Sequence, residues 1–345
     1  MKNLPIHDVL EDIKTTLNTN STLILEAPPG AGKSTVVPIS LLSQPWLEDK
    51  IIIMLEPRRV AARMVAVQMA KLLGEEVGQS VGYQVKMDSC YSKNTKLLVV
   101  TEAILVRKLQ NDQALEDVAM VIFDEFHERS IHTDLSLALC VQVQEFLRDD
   151  LKLLIMSATL DSRELTNLLG DVPVITSKGK IYDVENIYLE TNIKQPDSKS
   201  INTLLLNITL KAIKEDDGDI LVFLAGSREI QRLQVLLEES LKDNDIEVLP
   251  LYSTLSKEKQ DKAISKSNKR KIILSTNIAQ TSLTIEGVKV VIDSGLEKVS
   301  LYNYSNGMNH LELSFISNDS AIQRAGRAGR LSNGKCYKLW HKSKI

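Results

Sequence analysis

Short apolar runs recur along this chain, each followed by a longer amphipathic stretch: Thr22–Leu25, Ile51–Leu55, Leu97–Val100, Met120–Phe123 and Leu153–Met156. Each has strand length and is rich in Ile, Val and Leu. A near-continuous apolar strand is buried on both faces, as the strands of parallel sheets are. Intervening segments such as Arg59–Leu73 and Asp134–Leu147 have helical spacing. Strands alternating with helices imply right-handed crossovers and a parallel sheet covered on both sides. The rhythm breaks over 172–199, where Pro173, Gly179 and Pro196 sit among polar residues. It then restarts with helices at Ile201–Ile213, Arg228–Leu241 and Lys257–Ser265. Strands fall at Ile220–Leu224, Glu247–Leu251, Lys271–Leu274, Lys289–Ile292 and Lys335–Leu339. The pattern predicts two α/β domains, 1–180 and 181–345, joined by a short linker, each large enough for its own core. Leu296–Leu301 and His310–Phe315 flank Asn306-Gly307, which predicts a β-hairpin in the second domain.

Charge narrows the function classes. The chain carries 42 Lys+Arg against 45 Asp+Glu, a net charge of −3. Residues 1–180 hold a balance of −5 and residues 181–345 one of +2. Bulk charge therefore does not draw in polyanions, and any nucleic-acid contact must come from local basic groups. Arg58–Arg59 is one candidate; Lys269–Arg270–Lys271 is another, equally readable as a solvated turn. No apolar run reaches the ~18 residues of a membrane-spanning helix, and the first residues carry acids where a signal peptide has its apolar stretch. These features predict a cytosolic, membrane-free protein. Cys90, Cys140 and Cys336 are scattered, without CxxC or Cys/His clustering, and read as reduced, mostly buried thiols.

Three segments carry chemistry. Ala27-Pro28-Pro29-Gly30-Ala31-Gly32-Lys33-Ser34-Thr35 lies between a strand and a helix, the context of a phosphate-binding loop. Gly30 and Gly32 let backbone N–H groups turn toward phosphate oxygens at the positive end of the following helix. Lys33 is placed to reach the β- and γ-phosphates of a nucleotide and the Ser34 hydroxyl to bind Mg²⁺. Ala27 stands where the general pattern begins with Gly. Asp124-Glu125-Phe126-His127 follows the strand Met120–Phe123. An acid at the carboxyl end of a parallel strand beside a phosphate loop is where Mg²⁺ is held. Asp124 is the metal-side carboxylate, and Glu125 activates or orients a water. Gln323-Arg324-Ala325-Gly326-Arg327-Ala328-Gly329-Arg330 spaces Arg327 and Arg330 three apart, which brings both guanidinium groups to one side. Such a fork stays charged and binds phosphate oxygens bidentately, and Gln323 can orient a water. The two glycines point to close backbone packing rather than a basic surface helix.

These segments carry a resemblance. With Glu56-Pro-Arg-Arg-Val-Ala-Ala62, Thr101-Glu-Ala-Ile-Leu105, Ser157-Ala-Thr159, Leu221-Val-Phe-Leu-Ala-Gly226 and Ser275-Thr-Asn-Ile-Ala-Gln-Thr-Ser282 in order between them, the chain resembles superfamily 2 nucleic-acid helicases of the DEAH-box group. The likeness is to the bacterial HrpB-type ATP-dependent helicases in particular. It departs at Phe126, where the family motif has Ala, and at Gln280, where the family has Glu. The resemblance implies two RecA-like domains that both contact ATP, with Mg²⁺, and that accept other nucleoside triphosphates. It assigns catalysis to Lys33, Glu125, Gln323, Arg327 and Arg330, and a single strand to Arg58, Arg59, Thr101, Thr276, Asn277 and Thr281; the relatives are usually RNA helicases, though the sequence itself does not decide RNA against DNA. His127, Ser157 and Thr159 couple the metal site to the second domain, and the hairpin resembles the family's strand-separating wedge. Relatives continue into a winged helix and a helical bundle, so a monomeric two-domain core with weak, non-processive unwinding is expected. Two other readings stay open: a P-loop ATPase switch that does not unwind, and a non-catalytic nucleic-acid-binding fragment.

Overall fold

The computed structural model describes residues 4–158, 162–179, 182–191, 200–241, 245–280, 285–330 and 332–344. Thr159 and Thr281 lie outside the described residues. The chain divides into two compact units, Met1–Lys180 and Ile181–Ile345, each a RecA-like α/β body built on a largely parallel sheet.

The first unit has eight strands: β1 (Thr22–Glu26), β2 (Ile51–Leu55), β3 (Val81–Val85), β4 (Asp88–Cys90), β5 (Leu97–Val100), β6 (Val118–Phe123), β7 (Lys152–Ser157) and β8 (Val174–Thr176). They lie in the order β4-β3-β5-β2-β6-β7-β1-β8, parallel except for the edge pair β3–β4. Six helices connect them: α1 (Leu10–Thr19), α2 (Lys33–Ser40), α3 (Arg59–Leu73), α4 (Glu102–Asn111), α5 (Ile131–Phe146) and α6 (Ser162–Leu169). Alternation along the strands feeds two cores. Leu23, Leu25, Ile52, Met54, Val99, Ile122 and Met156 pack under α1, α2 and α3 with Ile13, Val37 and Met69. Ile24, Ile53, Leu55, Val121, Phe123 and Ile155 face the other way, onto Leu105 and Leu109 of α4, Leu137 and Cys140 of α5, and Leu165 of α6. Each such fully buried aliphatic side chain contributes about 1.5–3 kcal/mol, which holds the strand ends, and the loops leaving them, in fixed register.

The second unit contains β9 (Val184–Tyr188), β10 (Asp219–Phe223), β11 (Ile246–Leu251), β12 (Arg270–Ser275), β13 (Val288–Asp293) and β16 (Gly334–Lys338). They form one all-parallel sheet in the order β11-β12-β10-β13-β16-β9. β14 (Leu296–Asn303) and β15 (Met308–Phe315) pair antiparallel as a separate hairpin, Leu296 opposite Phe315 and Asn303 opposite Met308. The helices are α7 (Ile201–Glu215), α8 (Ser227–Ser240), α9 (Lys257–Ile264) and α10 (Asn318–Ala325). α7 and α8 cover one face through Leu205, Ile230, Leu233 and Leu237 against Ile220, Val222, Ile272 and Ile292.

Two expectations need correction. The stretch 172–199 is not only a break in the rhythm: β8 adds an edge strand beside β1, and β9 adds one beside β16. Both are short or polar, and edge positions need no continuous apolar run. The basic run at 269–271 is a solvated turn only at Lys269; Arg270 and Lys271 are turned inward. Arg270 caps the carboxyl end of α7, donating to the carbonyls of Ile213, Asp216 and Gly218 at 2.7–2.8 Å. The Lys271 ammonium, fully buried, donates to the carbonyls of Ala263 and Ser265 at the carboxyl end of α9. Helix ends leave unpaired carbonyls, and cations there complete them. Lys269 pairs with Asp245.

Candidate functional site

The carboxyl edge of the first sheet gathers the loops the sequence singled out. β1 ends at Glu26 and α2 begins at Lys33, so residues 27–32 form the turn between them. Gly30 and Gly32 have φ of 82° and 98°, a region that penalises any side chain. At Gly32 an added Cβ would also meet Leu4 and Ile6 at 2.9 and 3.1 Å. Ala27 is buried and its N–H donates to the Ser157 carbonyl at 3.0 Å. It continues the sheet rather than bending the loop, which is why the missing first glycine costs nothing here. Pro28 sits against the backbone of Gly179, just beyond β8.

Lys33 is 4% exposed, and its ammonium lies 3.1 Å from Glu125 Oε1. The second oxygen of Glu125 lies 3.5 Å from His127 Nε2. His127 Nδ1 in turn accepts from the Ala158 N–H, next to Ser157 at the end of β7. Lys33, Glu125 and His127 thus run from the phosphate loop to the 157–158 segment. Glu125 has φ of 50° and Arg129 φ of 44°; two left-handed non-glycine residues bracket this short segment, the kind of strain that clusters at functional sites. Phe126 turns away into the core, 2% exposed and edge-on to Phe123, with Arg129 over its ring. The departure at Phe126 is therefore a packing feature.

Asp124 is 3% exposed. Its Oδ1 accepts from the Glu125 N–H at 2.9 Å, and the Ser34 hydroxyl lies beside the carboxylate. Its Oδ2 is buried without a hydrogen-bond partner. Burial, above all, raises its pKa to about 6, offset in part by Lys33 and reinforced by Glu125. A buried carboxylate oxygen left unmatched beside a hydroxyl is a donor set that suits a hard divalent cation. Among the described residues no cluster of three or more His, Cys, Asp or Glu offers another metal site.

Arg58 and Arg59 follow β2, and Thr101 follows β5, the neighbouring strand. Arg58 is half-buried and paired with Glu128 at 3.2 Å, whereas Arg59 is exposed. Behind Thr101, Glu102 accepts from the Ser130 hydroxyl at 2.8 Å and so ties α4 to the N-cap of α5. Neither carboxylate link was read from the sequence, because each partner lies tens of residues away.

In the second unit, Thr276 is half-buried and Asn277 exposed after β12. The segment 323–330 is not a surface helix: α10 stops at Ala325, and Arg324 and Arg327 are 0% and 5% exposed. Arg327 Nε donates to the Gln280 carbonyl at 2.7 Å. Arg330 is half-buried. Gly329 packs against Tyr182 and Val184, leaving no room for a Cβ. Arg324, which sequence reasoning passed over, is the hub. It donates to Asp293 Oδ1 at 2.9 Å and to Gln280 Oε1 at 3.2 Å, reaches the Leu296 carbonyl at the hairpin root, and lies over Phe223. A signal did exist: an acid closing the apolar strand Val288–Ile292 asks for a buried cation. Cys140 and Cys336 are buried and Cys90 half-buried, all free. No helix among the described residues is long and apolar enough to cross a membrane.

Comparison with known proteins agrees with this layout. Residues 9–168 match the DEAD/DEAH box helicase family and residues 200–332 the helicase conserved C-terminal domain. The chain is 45% identical over 336 residues to the ATP-dependent RNA helicase HrpB of Escherichia coli, covering 97% of this chain and 41% of that protein. To the ATP-dependent RNA helicase HrpA of Borreliella burgdorferi it is 36% identical over 340 residues, with 98% and 41% covered. The crystal structure of the Escherichia coli DEAH/RHA helicase HrpB superposes with a TM-score of 0.90 at 44% identity, over 99% of this chain and 43% of that one. The chain thus spans about two fifths of the length of the curated relatives it matches. With both domain families present in order and a DEAH-type Asp-Glu-x-His box at 124–127, the chain belongs to the DEAD/DEAH box helicases.

Proposed function

We propose that this chain is the ATP-hydrolysing core of a nucleic-acid helicase that moves on single strands, RNA in preference to DNA. The observation that carries it is the buried set Lys33, Glu125 and Asp124, with Asp124 Oδ2 unmatched beside Ser34 at the end of a phosphate-type loop. Residues 28–35 would cradle the triphosphate. Lys33 exchanges its carboxylate partner for β- and γ-phosphate oxygens, which releases Glu125 to accept a proton from the attacking water. Ser34 and Asp124 would hold Mg²⁺, whose contribution when bound is to neutralise charge on the phosphate oxygens. Gln323, Arg327 and Arg330 supply the second unit's donors to the transferring phosphoryl group; an arginine in that role is worth about 10³–10⁵ in rate. The functional domains are 1–180 and 181–345.

Arg58, Arg59, Thr101, Thr276 and Asn277 would grip the strand through its phosphates and sugars, which positions without reading sequence; Thr281 belongs to the same proposal. His127 and Ser157, with Thr159, would relay the state of Glu125. RNA is favoured because both curated relatives are named RNA helicases.

Phosphate release with and without single-stranded RNA, repeated with Lys33→Ala, tests this. Stimulation by RNA, abolished in the variant, is expected. A Lys33→Ala chain as fast as the parent would remove the nucleotide site. Turnover indifferent to RNA would leave an ATPase switch, and no turnover at all a binding fragment.

A further inference from the structure

Gln280 touches three members of the segment 323–330. Its side-chain Nε2 donates to the Ser320 hydroxyl and to Gln323 Oε1, both at 3.0 Å; its Oε1 accepts from Arg324 Nε at 3.2 Å; its carbonyl accepts from Arg327 Nε at 2.7 Å. It is 6% exposed. The direction of each bond follows from donor and acceptor inventory. A guanidinium offers only donors, so Arg324, locked onto Asp293 at 0% exposure on both sides, must face the oxygen of the Gln280 amide. The nitrogen of Gln280 then necessarily faces Gln323. Two N–H groups cannot face each other, so Gln323 must turn its oxygen inward. Its own amide nitrogen is left outward, and among the described residues nothing accepts from it.

We infer that Gln280 is a positioning residue: acting with Arg324, it fixes the polarity of the Gln323 amide, so that Gln323 offers N–H donors, and no carbonyl acceptor, to an anionic phosphoryl oxygen of the bound nucleotide. This rests on the proposed role of Gln323 in ATP hydrolysis and sharpens it. Gln323 does not take a hydrogen bond from the attacking water; that duty stays with Glu125. A Glu at 280, the residue of the wider family, reverses the arrangement. A carboxylate accepts from Arg324 and Ser320 and has no hydrogen for Gln323, whose amide must rotate to donate inward and show its carbonyl outward. Gln280 and Gln323 therefore act as a pair.

The test uses the full 345-residue chain and four variants: Gln280→Glu, Gln280→Met, Gln323→Ala and Gln280→Glu with Gln323→Ala. Phosphate release gives kcat and KM. Equilibrium binding compares ADP with ADP–beryllium fluoride, a terminal-phosphate mimic. Thermal unfolding reports the fold. Gln280→Glu is expected to unfold cooperatively, keep the parent's ADP affinity, and lose about tenfold or more both in kcat and in affinity for ADP–beryllium fluoride. The double variant should be no slower than Gln323→Ala alone. A folded Gln280→Glu chain within twofold of the parent on both readouts overturns the inference, as does a loss that multiplies with that of Gln323→Ala. Should Gln280→Glu fail to fold, Gln280→Met decides: it frees the Gln323 amide to rotate, and a severalfold loss confined to the phosphate mimic and kcat supports the pairing, while parent-like values refute it. If Gln323→Ala itself hydrolyses ATP normally, the Gln323 role and this inference fall together, whereas the nucleotide site stands or falls separately on Lys33→Ala.

Discussion

Lys33 and Glu125, 92 residues apart in the chain, meet as an ion pair 3.1 Å long with side chains 4% and 7% exposed. On the proposed assignment, the cation that would meet phosphate is neutralised here by the carboxylate that would activate water. Triphosphate bound at Lys33 would then break a buried pair and free the base only when the substrate is in place. Removing one partner of such a pair strands the other. Glu125→Gln is expected to lower kcat by at least about 10²-fold while leaving ATP affinity equal or tighter, since Lys33 no longer has a carboxylate to leave. Lys33→Ala should lose both affinity and turnover. Equilibrium nucleotide binding beside phosphate release separates the two patterns; a Glu125→Gln chain with parent kcat would refute the assignment.

Asp124 sets a pH dependence. Its folded pKa, about 6 against an ordinary 3.8, is raised chiefly by burial. The folded protein thus binds the proton more tightly than the unfolded chain. Asp124 favours folding below pH 3.8, and that contribution is lost as pH rises to 6 and beyond. Asp124→Asn should therefore stabilise the metal-free protein above pH 6, by roughly 1–3 kcal/mol, and lose that advantage toward pH 4. The same substitution should abolish Mg²⁺-dependent phosphate release. Denaturant melts at pH 5 and 8 in chelator, with and without the substitution, check the sign. A stabilisation larger at pH 5 than at pH 8 would contradict it.

The strand–helix rhythm, the glycine turn before Lys33 and the Asp124–Glu125 strand end were legible because each is local. A run of Ile and Val buried on both faces declares itself, and so does Gly-x-Gly-Lys before a helix. What was not legible depends on residues brought together from afar. Arg324 and Asp293 read as ordinary polar positions and Gln280 only as a departure from the family motif, yet the three form one buried network. Arg270 and Lys271 read as surface charge because nothing in their neighbourhood announces the helix ends they cap. β8 and β9 escaped because edge strands need little apolar content. The Arg58–Glu128 pair shows the same limit at the site itself.

That buried network predicts where the second unit breaks. Arg324→Ala leaves Asp293, already with an unmatched Oδ2, without its counter-charge. Stranding a buried carboxylate costs about 3–5 kcal/mol. Arg324→Ala with Asp293→Asn should recover much of the loss, because the stranded charge is gone. Urea unfolding of the single and double variants measures the coupling; additive losses would mean the pair is not the origin.

The hairpin offers a prediction confined to nucleic acid. Leu311, Leu313 and Phe315 lie at alternate positions of β15, and pairing sets Tyr302 on their side of the ribbon, opposite Asn309. All four are exposed, and at the tip Tyr304 is 92% exposed and edge-on to Tyr302, ring centroids 5.1 Å apart. Among the described residues no other strand pairs with this ribbon. Exposed aromatic faces bind unpaired bases, at about 1–3 kcal/mol per stacked base. Tyr304→Ala removes no buried surface and should leave thermal stability and RNA-free phosphate release unchanged. If the hairpin meets the strand, single-stranded RNA should bind severalfold more weakly, and the RNA concentration for half-maximal stimulation should rise by the same factor. Fluorescence anisotropy with a labelled oligoribonucleotide and the stimulated phosphate-release curve give both numbers. Equal affinity for parent and variant would show that Tyr304 does not stack on the strand.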